Sequence, residues 1–124
     1  DKDKMKYLSN RGIATAAFIG YDTSDAAIEL ARASDKHIVF VSNANGRTQP
    51  REGLVTWAER IGYIRAHGVT APIFGVTGIK TPEELQQVRD AGADGAYIGS
   101  IMMQLWDNEP ELWKLLDAFQ AVAK

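Results

Sequence analysis

Residues 72–100 read PIFGVTGIKTPEELQQVRDAGADGAYIGS, and this stretch decides the fold class. It opens with a short apolar run, 72–76, of strand length. A helix start follows at Thr81, Pro82 and Glu84, because threonine can cap, proline suits the first helical position and glutamate can close a capping box. Gly92 ends this helix, and a second apolar run, 96–98, then leads into Gly99 and Ser100. The stretch therefore predicts a strand–helix–strand unit with parallel strands.

The same alternation continues on both sides of this unit. Apolar runs at 13–19 and 38–41 predict two more strands, and the second is near-continuous, as in a strand covered on both faces. Thr23 or Ser24 can cap the helix after the first run, Gly68 can end the next helix, and a last helix starts after Asn108. The inward-facing residues of the four predicted helices are Ala27, Leu30 and Ala31; Leu54, Trp57, Ala58, Ile61 and Ile64; Leu85 and Val88; and Leu112, Leu115, Leu116 and Phe119.

Four strands that alternate with helices predict an α/β protein with a parallel sheet. Such a sheet can be open, or it can be half of a (β/α)8 barrel. The length of the chain does not distinguish the two, because a full barrel needs about 250 residues. No linker or low-complexity segment interrupts residues 1–124, so we expect a single domain.

The composition narrows the class of function. Hydrophobic residues make up 45% of the chain, the formal net charge is −2, and there is no cysteine. The sequence has no stripe of lysine and arginine that would predict nucleic-acid binding. It also has no apolar run long enough to span a bilayer. We expect no secretory leader, no disulfide and a cytoplasmic location.

The strongest candidate for chemistry is an anion site at two strand ends. Gly75 to Ile79 closes the third predicted strand, and Gly99-Ser100 closes the fourth. Ligands of parallel α/β folds gather at these carboxyl ends, and backbone N–H groups at a helix start can bind phosphate without a lysine. A glycine at a strand end is often only a turn residue, but two such strand ends with a capped helix between them favour the phosphate site. The loop Gly46-Arg47-Thr48 is either a third element of the site or a solvated turn.

Other polar and aromatic residues are weaker candidates. His37 and His67 lack a partner that would suggest a metal site, and surface or cap roles are expected for them. Asp22 could face the same mouth as the phosphate site, although a loop role is favoured, and Asp94 lies at the stabilising end of the sheet. The three tryptophans are expected to pack, or to mark an interface if several are exposed; they are Trp57, Trp106 and Trp113.

The motifs resemble those of the tryptophan synthase α subunit. Its G-I-x-x-P-E motif matches 78–83, and its A-G-A-x-G-A-x-x-G-S motif matches 91–100. Upstream, 12–19 resembles that family's fifth strand and 38–42 its sixth. The resemblance covers nearly the whole chain but only the second half of the family's barrel, strands five to eight. It therefore implies a half-barrel. Indoleglycerol-phosphate synthase and ribulose-phosphate epimerase share the terminal Gly-Ser, but the Gly-Ile-x-x-Pro-Glu segment favours tryptophan synthase α.

The resemblance implies a lyase of tryptophan biosynthesis, which cleaves indole-3-glycerol phosphate to indole and glyceraldehyde 3-phosphate and passes indole to a β subunit. It places the phosphate on backbone amides at Gly46, Gly78, Ile79, Gly99 and Ser100. Two positions depart from the family's pattern: Gln49 stands where the family has a loop glycine, and Val39 where it has a strand tyrosine. The family's catalytic carboxylates belong to early strands outside this sequence. We therefore expect no catalytic residue, metal or cofactor here.

Three functional interpretations stay open. The chain could be a lyase-derived half that retains phosphate recognition, a non-enzymatic phosphate-binding or assembly module, or a piece of a full α subunit. Because a half-barrel has open sheet edges, we expect a homo-oligomer or a complex with an N-terminal half-barrel, with the β subunit as a further candidate partner and no nucleic acid or membrane.

Overall fold

The computed structural model describes residues 2–33, 38–43 and 47–123. Within these residues, helices alternate with the strands of one parallel sheet in the order β1-β2-β3-β4. The elements along the chain are α1 (Lys2–Ser9), β1 (Ala16–Ile19), α2 (Asp25–Arg32), β2 (Ile38–Ser42), α3 (Trp57–Ala66), β3 (Ile73–Val76), α4 (Pro82–Asp90), β4 (Gly95–Ala96), α5 (Ser100–Gln104) and α6 (Glu109–Ala123). The predicted α/β architecture is confirmed.

The strand order carries information about the layers. Right-handed crossovers between strands that follow one another in sequence place the connecting helices α2, α3 and α4 on the same face of the sheet. The core accordingly lies between that face and the helices, and it is made of aliphatic side chains. Its buried members include Ala17, Ile19, Val39, Val41 and Ile73 from the strands and Ile28, Ala31, Ile61 and Ile64 from the helices. A sheet wound in one direction with a single helix layer is consistent with half of a (β/α)8 barrel.

The second face of the sheet is open, contrary to the sequence-based expectation for β2. The near-continuous apolar run at 38–41 predicts cover on both faces, but only Val39 and Val41 lie against the helices. Ile38 is 38% exposed on the opposite face, and Phe40 is half-buried there. The side that would be the interior of a complete barrel is therefore uncovered in the single chain.

The helix starts follow the expected chemistry with two corrections, for α4 and α3, and the start of α2 resolves an alternative. Thr81 caps α4 by accepting from Glu84 N, but the Glu84 carboxylate accepts from Lys80 N, one residue before the position of a capping box. For α2 the cap is Ser24 rather than Thr23. The third helix begins at Trp57 instead of near Leu54, because Thr56 and Glu59 form a full capping box there.

One ionic cluster ties α2 to the loop before α3. The Asp25 carboxylate accepts from Arg51 Nη1 at 2.8 Å and from the Tyr63 hydroxyl at 2.9 Å. The hydrogen bond from Arg51 has the largest effect on the pKa of Asp25, and together with that from Tyr63 it lowers this pKa below its ordinary value of 3.8. The charged carboxylate therefore favours the folded chain above about pH 4, and this contribution is lost as the pH falls through the folded-state pKa.

The pH dependence of stability tests that cluster. Asp25→Asn removes the charge, so we expect the difference between the unfolding midpoints at pH 7 and pH 3 to become smaller. Thermal unfolding followed by circular dichroism at the two pH values measures this difference. The matched control is Asp117→Asn on the exposed side of α6. An unchanged difference in the Asp25 variant would show that the cluster does not contribute to folding.

Candidate phosphate-binding groove

The turn after β3 has an unusual backbone. Thr77 and Gly78 follow one another with φ values of +60° and +74°. Glycine adopts this left-handed region without cost, whereas threonine does so only when its surroundings hold it. Here the Thr77 hydroxyl donates to Val76 O at 2.6 Å and shares a 3.0 Å hydrogen bond with Ser42 Oγ on the neighbouring strand. The turn is therefore fixed to β2 by side-chain contacts.

Ile79 anchors the same turn from below. The Ile79 side chain is 3% exposed. It lies close to the backbone of Gly75, where an added Cβ would be 3.5 Å from Ile79 Cδ1. The next residue, Lys80, is already engaged because its backbone N–H donates to Glu84 Oε2 at 2.9 Å. The backbone N–H groups before it, at Gly78 and Ile79, are thus held at the carboxyl end of β3.

The end of β4 has a different but complementary geometry. Gly99 is the residue before α5, with φ −121° and ψ −76°, and no side chain caps the helix. Its carbonyl accepts from the N–H groups of Met102 and Met103. A Cβ built on Gly99 would meet nothing within 4 Å, so the space beside this backbone is open.

One groove brings the two strand ends together. Its volume is about 560 Å³, and its lining consists of Phe18, Phe40, Val76, Thr77, Gly78, Ile79, Tyr97, Gly99 and Ser100. Four of the five sequence-predicted phosphate residues are in this lining, and the fifth, Gly46, lies outside the described residues. Within the described ranges, the backbone N–H groups of Gly78, Ile79, Gly99 and Ser100 donate no hydrogen bond. The groove therefore offers several backbone donors at one place.

The polar character of the groove comes from backbone N–H groups and hydroxyls, not from charged side chains. Among its described lining residues there is no lysine, arginine, histidine or carboxylate. Donors of this kind favour an anion through partial charges on N–H groups and leave it no cationic side chain to pair with. The hydroxyls of Thr77, Tyr97 and Ser100 are the polar side-chain groups that complete the lining.

Aromatic side chains that were not among the predicted site residues form the rest of the groove. The ring of Phe40 lies 5.4 Å from that of Tyr97 and 6.5 Å from that of Phe74, both in edge-to-face geometry. Phe18 is on the same face and 57% exposed. Side chains in a strand point alternately to the two faces of the sheet, and residues 18, 40 and 74 alternate with helix-facing positions. This alternation could have predicted that the three aromatic residues share the other face. On β2 it is Phe40, and not Val39, that faces the groove.

A buried arginine stabilises the neighbouring loop at the carboxyl end of β1. Arg60 of α3 is 1% exposed, and it donates from Nε to Thr23 Oγ1 and from Nη2 to Gly20 O, each at 2.9 Å. Its guanidinium lies 4.9 Å from the Tyr21 ring centroid. Burial lowers the pKa of Arg60, while the charges of Tyr21 and Asp22 oppose this shift. The sequence pattern gives no indication of a buried Arg60, and Ala58, which was predicted to face the core, is exposed.

The remaining charged candidates have structural positions. Asp94 accepts from Arg65 Nη2 at 2.7 Å and from Ile73 N at 2.9 Å, at the amino end of the sheet as expected. His67 follows α3 as its C-cap and stacks on Tyr63, with 4.0 Å between ring centroids. Asp22 is exposed and outside the groove lining.

The other sequence candidates are one histidine and the three tryptophans. His37 lies outside the described residues, and no three potential metal-binding side chains cluster in the described part. Trp57 packs against the core as expected. Trp106 and Trp113 are 64% and 58% exposed, so the packing expectation is wrong for them. The alternative, that exposed tryptophans mark an interface, stays a prediction.

Comparison with known proteins adds information about the fold. No family model and no curated protein matches the chain. A solved structure from Aquifex aeolicus VF5, "Structural study of Project ID", is similar over 98% of this chain with a TM-score of 0.71 and 12% identity. This chain spans 45% of that protein, which is less than half of its length. At this identity the likeness establishes the parallel α/β fold alone. In the described residues, no helix is long and apolar enough to cross a membrane.

Proposed function

We propose that the groove binds the phosphate group of a small phosphate ester through the backbone N–H groups of Gly78, Ile79, Gly99 and Ser100. The observation that carries the proposal is that these four residues, whose N–H groups donate no hydrogen bond within the described residues, line one groove. Phosphate binds well to such clusters because several N–H dipoles can point at the same oxygens. The loop containing Gly46 is the proposed third element.

We further propose that the ester is indole-3-glycerol phosphate and that the chain is a tryptophan synthase α-type half. Two features support this: the Gly-Ile-x-x-Pro-Glu and Gly-Ser motifs both lie at the groove, and aromatic rings stand beside the anion site. A planar apolar group such as an indole ring could stack on Phe40 and Tyr97 while the phosphate occupies the glycine turns. The proposed partners are a complementary half-barrel and a tryptophan synthase β subunit.

A second function, a non-enzymatic phosphate-binding module, is favoured by one observation. Cleavage of the indole–carbon bond needs a group that moves protons at the ring. The described lining of the groove contains neither a carboxylate nor an imidazole. By itself this groove has the features of a binding site, so the lyase proposal requires catalytic groups from another half.

Binding and turnover separate the two functions. Both functions require phosphate binding, which isothermal titration with glycerol 3-phosphate tests, with glycerol as the matched control. We expect heat of binding with glycerol 3-phosphate and none with glycerol. Indole release from indole-3-glycerol phosphate is then measured with and without a β subunit. We expect binding without turnover by the isolated chain. Equal weak heats for ester and glycerol would contradict both functions, and turnover by the isolated chain would contradict the need for a second half.

A further inference from the structure

Both outer strands of the sheet have an unpaired edge. In the order β1-β2-β3-β4, the described residues place nothing beyond β1 on one side or beyond β4 on the other. Exposed strand edges are usually protected by charged residues or proline, because they can pair with other chains. The sequence of β1, Ala16–Ile19, is AAFI and contains no such residue. This edge is therefore suited to pairing.

The open face of the sheet is apolar as well. Phe18 is 57% exposed, Tyr97 59% and Ile38 38%. All three lie on the side away from the helices, next to the ring cluster of Phe40 and Phe74. A contiguous exposed apolar surface of this kind marks an interface in soluble proteins.

A second apolar cavity runs beside the free edge of β4. It has a volume of about 460 Å³ and lies between β4, α4 and α6, with Leu85, Val88, Ile98, Met102, Leu116 and Phe119 in its wall. Helix α6 is held to α4, since Arg89 Nη1 donates to Val122 O at 2.6 Å. The surroundings of β4 are thus apolar on both faces, which suits a neighbouring strand with apolar side chains on both faces.

The strand β1 of a second copy is a neighbour of this kind, with apolar side chains on both faces. Its Ala17 and Ile19 point to the helix side, Phe18 points to the open side, and its outer edge is free. The similar solved protein is also relevant, because one copy spans 45% of its length and two copies would approach the whole. A two-fold axis would satisfy both free edges of each chain with a single kind of contact.

We propose that two copies of this chain associate with β4 of each copy paired in parallel to β1 of the other. This arrangement closes an eight-stranded sheet with the helices outside and covers Phe18, Ile38 and Tyr97. It also places the two phosphate grooves at the same mouth, since all strands then point in one direction. The proposal rests on the sheet edges and the open face, and it holds whether or not the groove binds phosphate.

Sedimentation of the 124-residue chain at micromolar concentration tests the association. We expect twice the 13.6 kDa mass of one chain. Phe18→Asp should give a folded monomer, because it introduces a charge into the covered face. Trp113→Asp is the matched control, with a side chain exposed to nearly the same extent on α6, and it should remain a dimer. A wild-type monomer, an open-ended series of larger species, or a Phe18→Asp dimer would overturn the proposal.

Cross-linking gives an independent test that does not depend on a disruptive variant. The chain has no cysteine, so Ala17→Cys in β1 and Ala96→Cys in β4, which both lie on the helix side of the sheet, introduce the only thiols. Oxidation of the double variant should give a covalent dimer on a denaturing gel, while either single variant stays monomeric because its two copies of the thiol lie on opposite sides. A covalent dimer in either single variant, or its absence from the oxidised double variant, would contradict the proposed strand pairing.

Discussion

Replacing Gly99 by alanine is expected to weaken the binding of glycerol 3-phosphate by roughly tenfold or more, which corresponds to about 1.4 kcal/mol. The alanine methyl would meet no protein atom within 4 Å, so the fold has room for it. That same space is where an anion must approach the backbone N–H groups of Gly99 and Ser100. The effect should therefore appear in the dissociation constant from isothermal titration and leave the unfolding midpoint nearly unchanged.

Gly62→Ala is the matched control for this substitution. Gly62 lies inside α3, is exposed, and like Gly99 would place a Cβ where nothing lies within 4 Å. Alanine there should stabilise the chain by about 0.5–1 kcal/mol through helix propensity and leave ligand binding as it is. If Gly99→Ala binds glycerol 3-phosphate as well as the Gly62 variant does, Gly99 is only a turn residue.

Arg60→Met is expected to destabilise the chain by about 2–3 kcal/mol. Methionine fills much of the same volume, but the buried Thr23 hydroxyl loses its donor, and an unsatisfied buried polar group costs about 1–3 kcal/mol. The Gly20 carbonyl also loses the hydrogen bond from Arg60 and keeps the one from Thr23 N. Removing the desolvated charge offsets part of this loss. Urea unfolding measures the free energy of unfolding.

Arg32→Met serves as the comparison for Arg60. Arg32 forms an exposed ion pair with Glu29 within α2, and surface pairs of this kind contribute about 0–1 kcal/mol. We therefore expect its loss to be much smaller than that of Arg60. Equal effects of the two substitutions would show that the contacts of Arg60 with the β1 loop do not stabilise the fold.

Local patterns predicted the framework of the fold because its signals lie within a few residues of each other. The Thr81 cap, Pro82 and Gly92 define α4 on their own, and the structure places all three as expected. The first strand was predicted from residue 13 and begins at Ala16, while the last was predicted at 96–98 and is only Gly95–Ala96. Helix α1, with the sequence KDKMKYLS, lacks the apolar stripe that would predict it.

The features that sequence reasoning missed depend on distant residues. Arg60 looks like a solvated helix residue until α3 packs against a loop 40 positions earlier in the chain. The exposure of Phe18 and Phe40 likewise depends on which face of the sheet the helices leave open, and an apolar residue gives no indication of that by itself. The two glycine strand ends were predictable because parallel strands bring their carboxyl ends to the same side of a sheet.

The most direct test of the phosphate site is an amide titration by nuclear magnetic resonance. The ¹⁵N-labelled chain is titrated with inorganic phosphate, glycerol 3-phosphate and indole-3-glycerol phosphate, and with glycerol as a control. Saturable shifts of the amides of Gly78, Ile79, Gly99 and Ser100 are expected with the three phosphates, while the amide of Gly62 remains in place. Absence of shifts at those four amides in millimolar ligand would contradict the phosphate site and leave the glycines as turns.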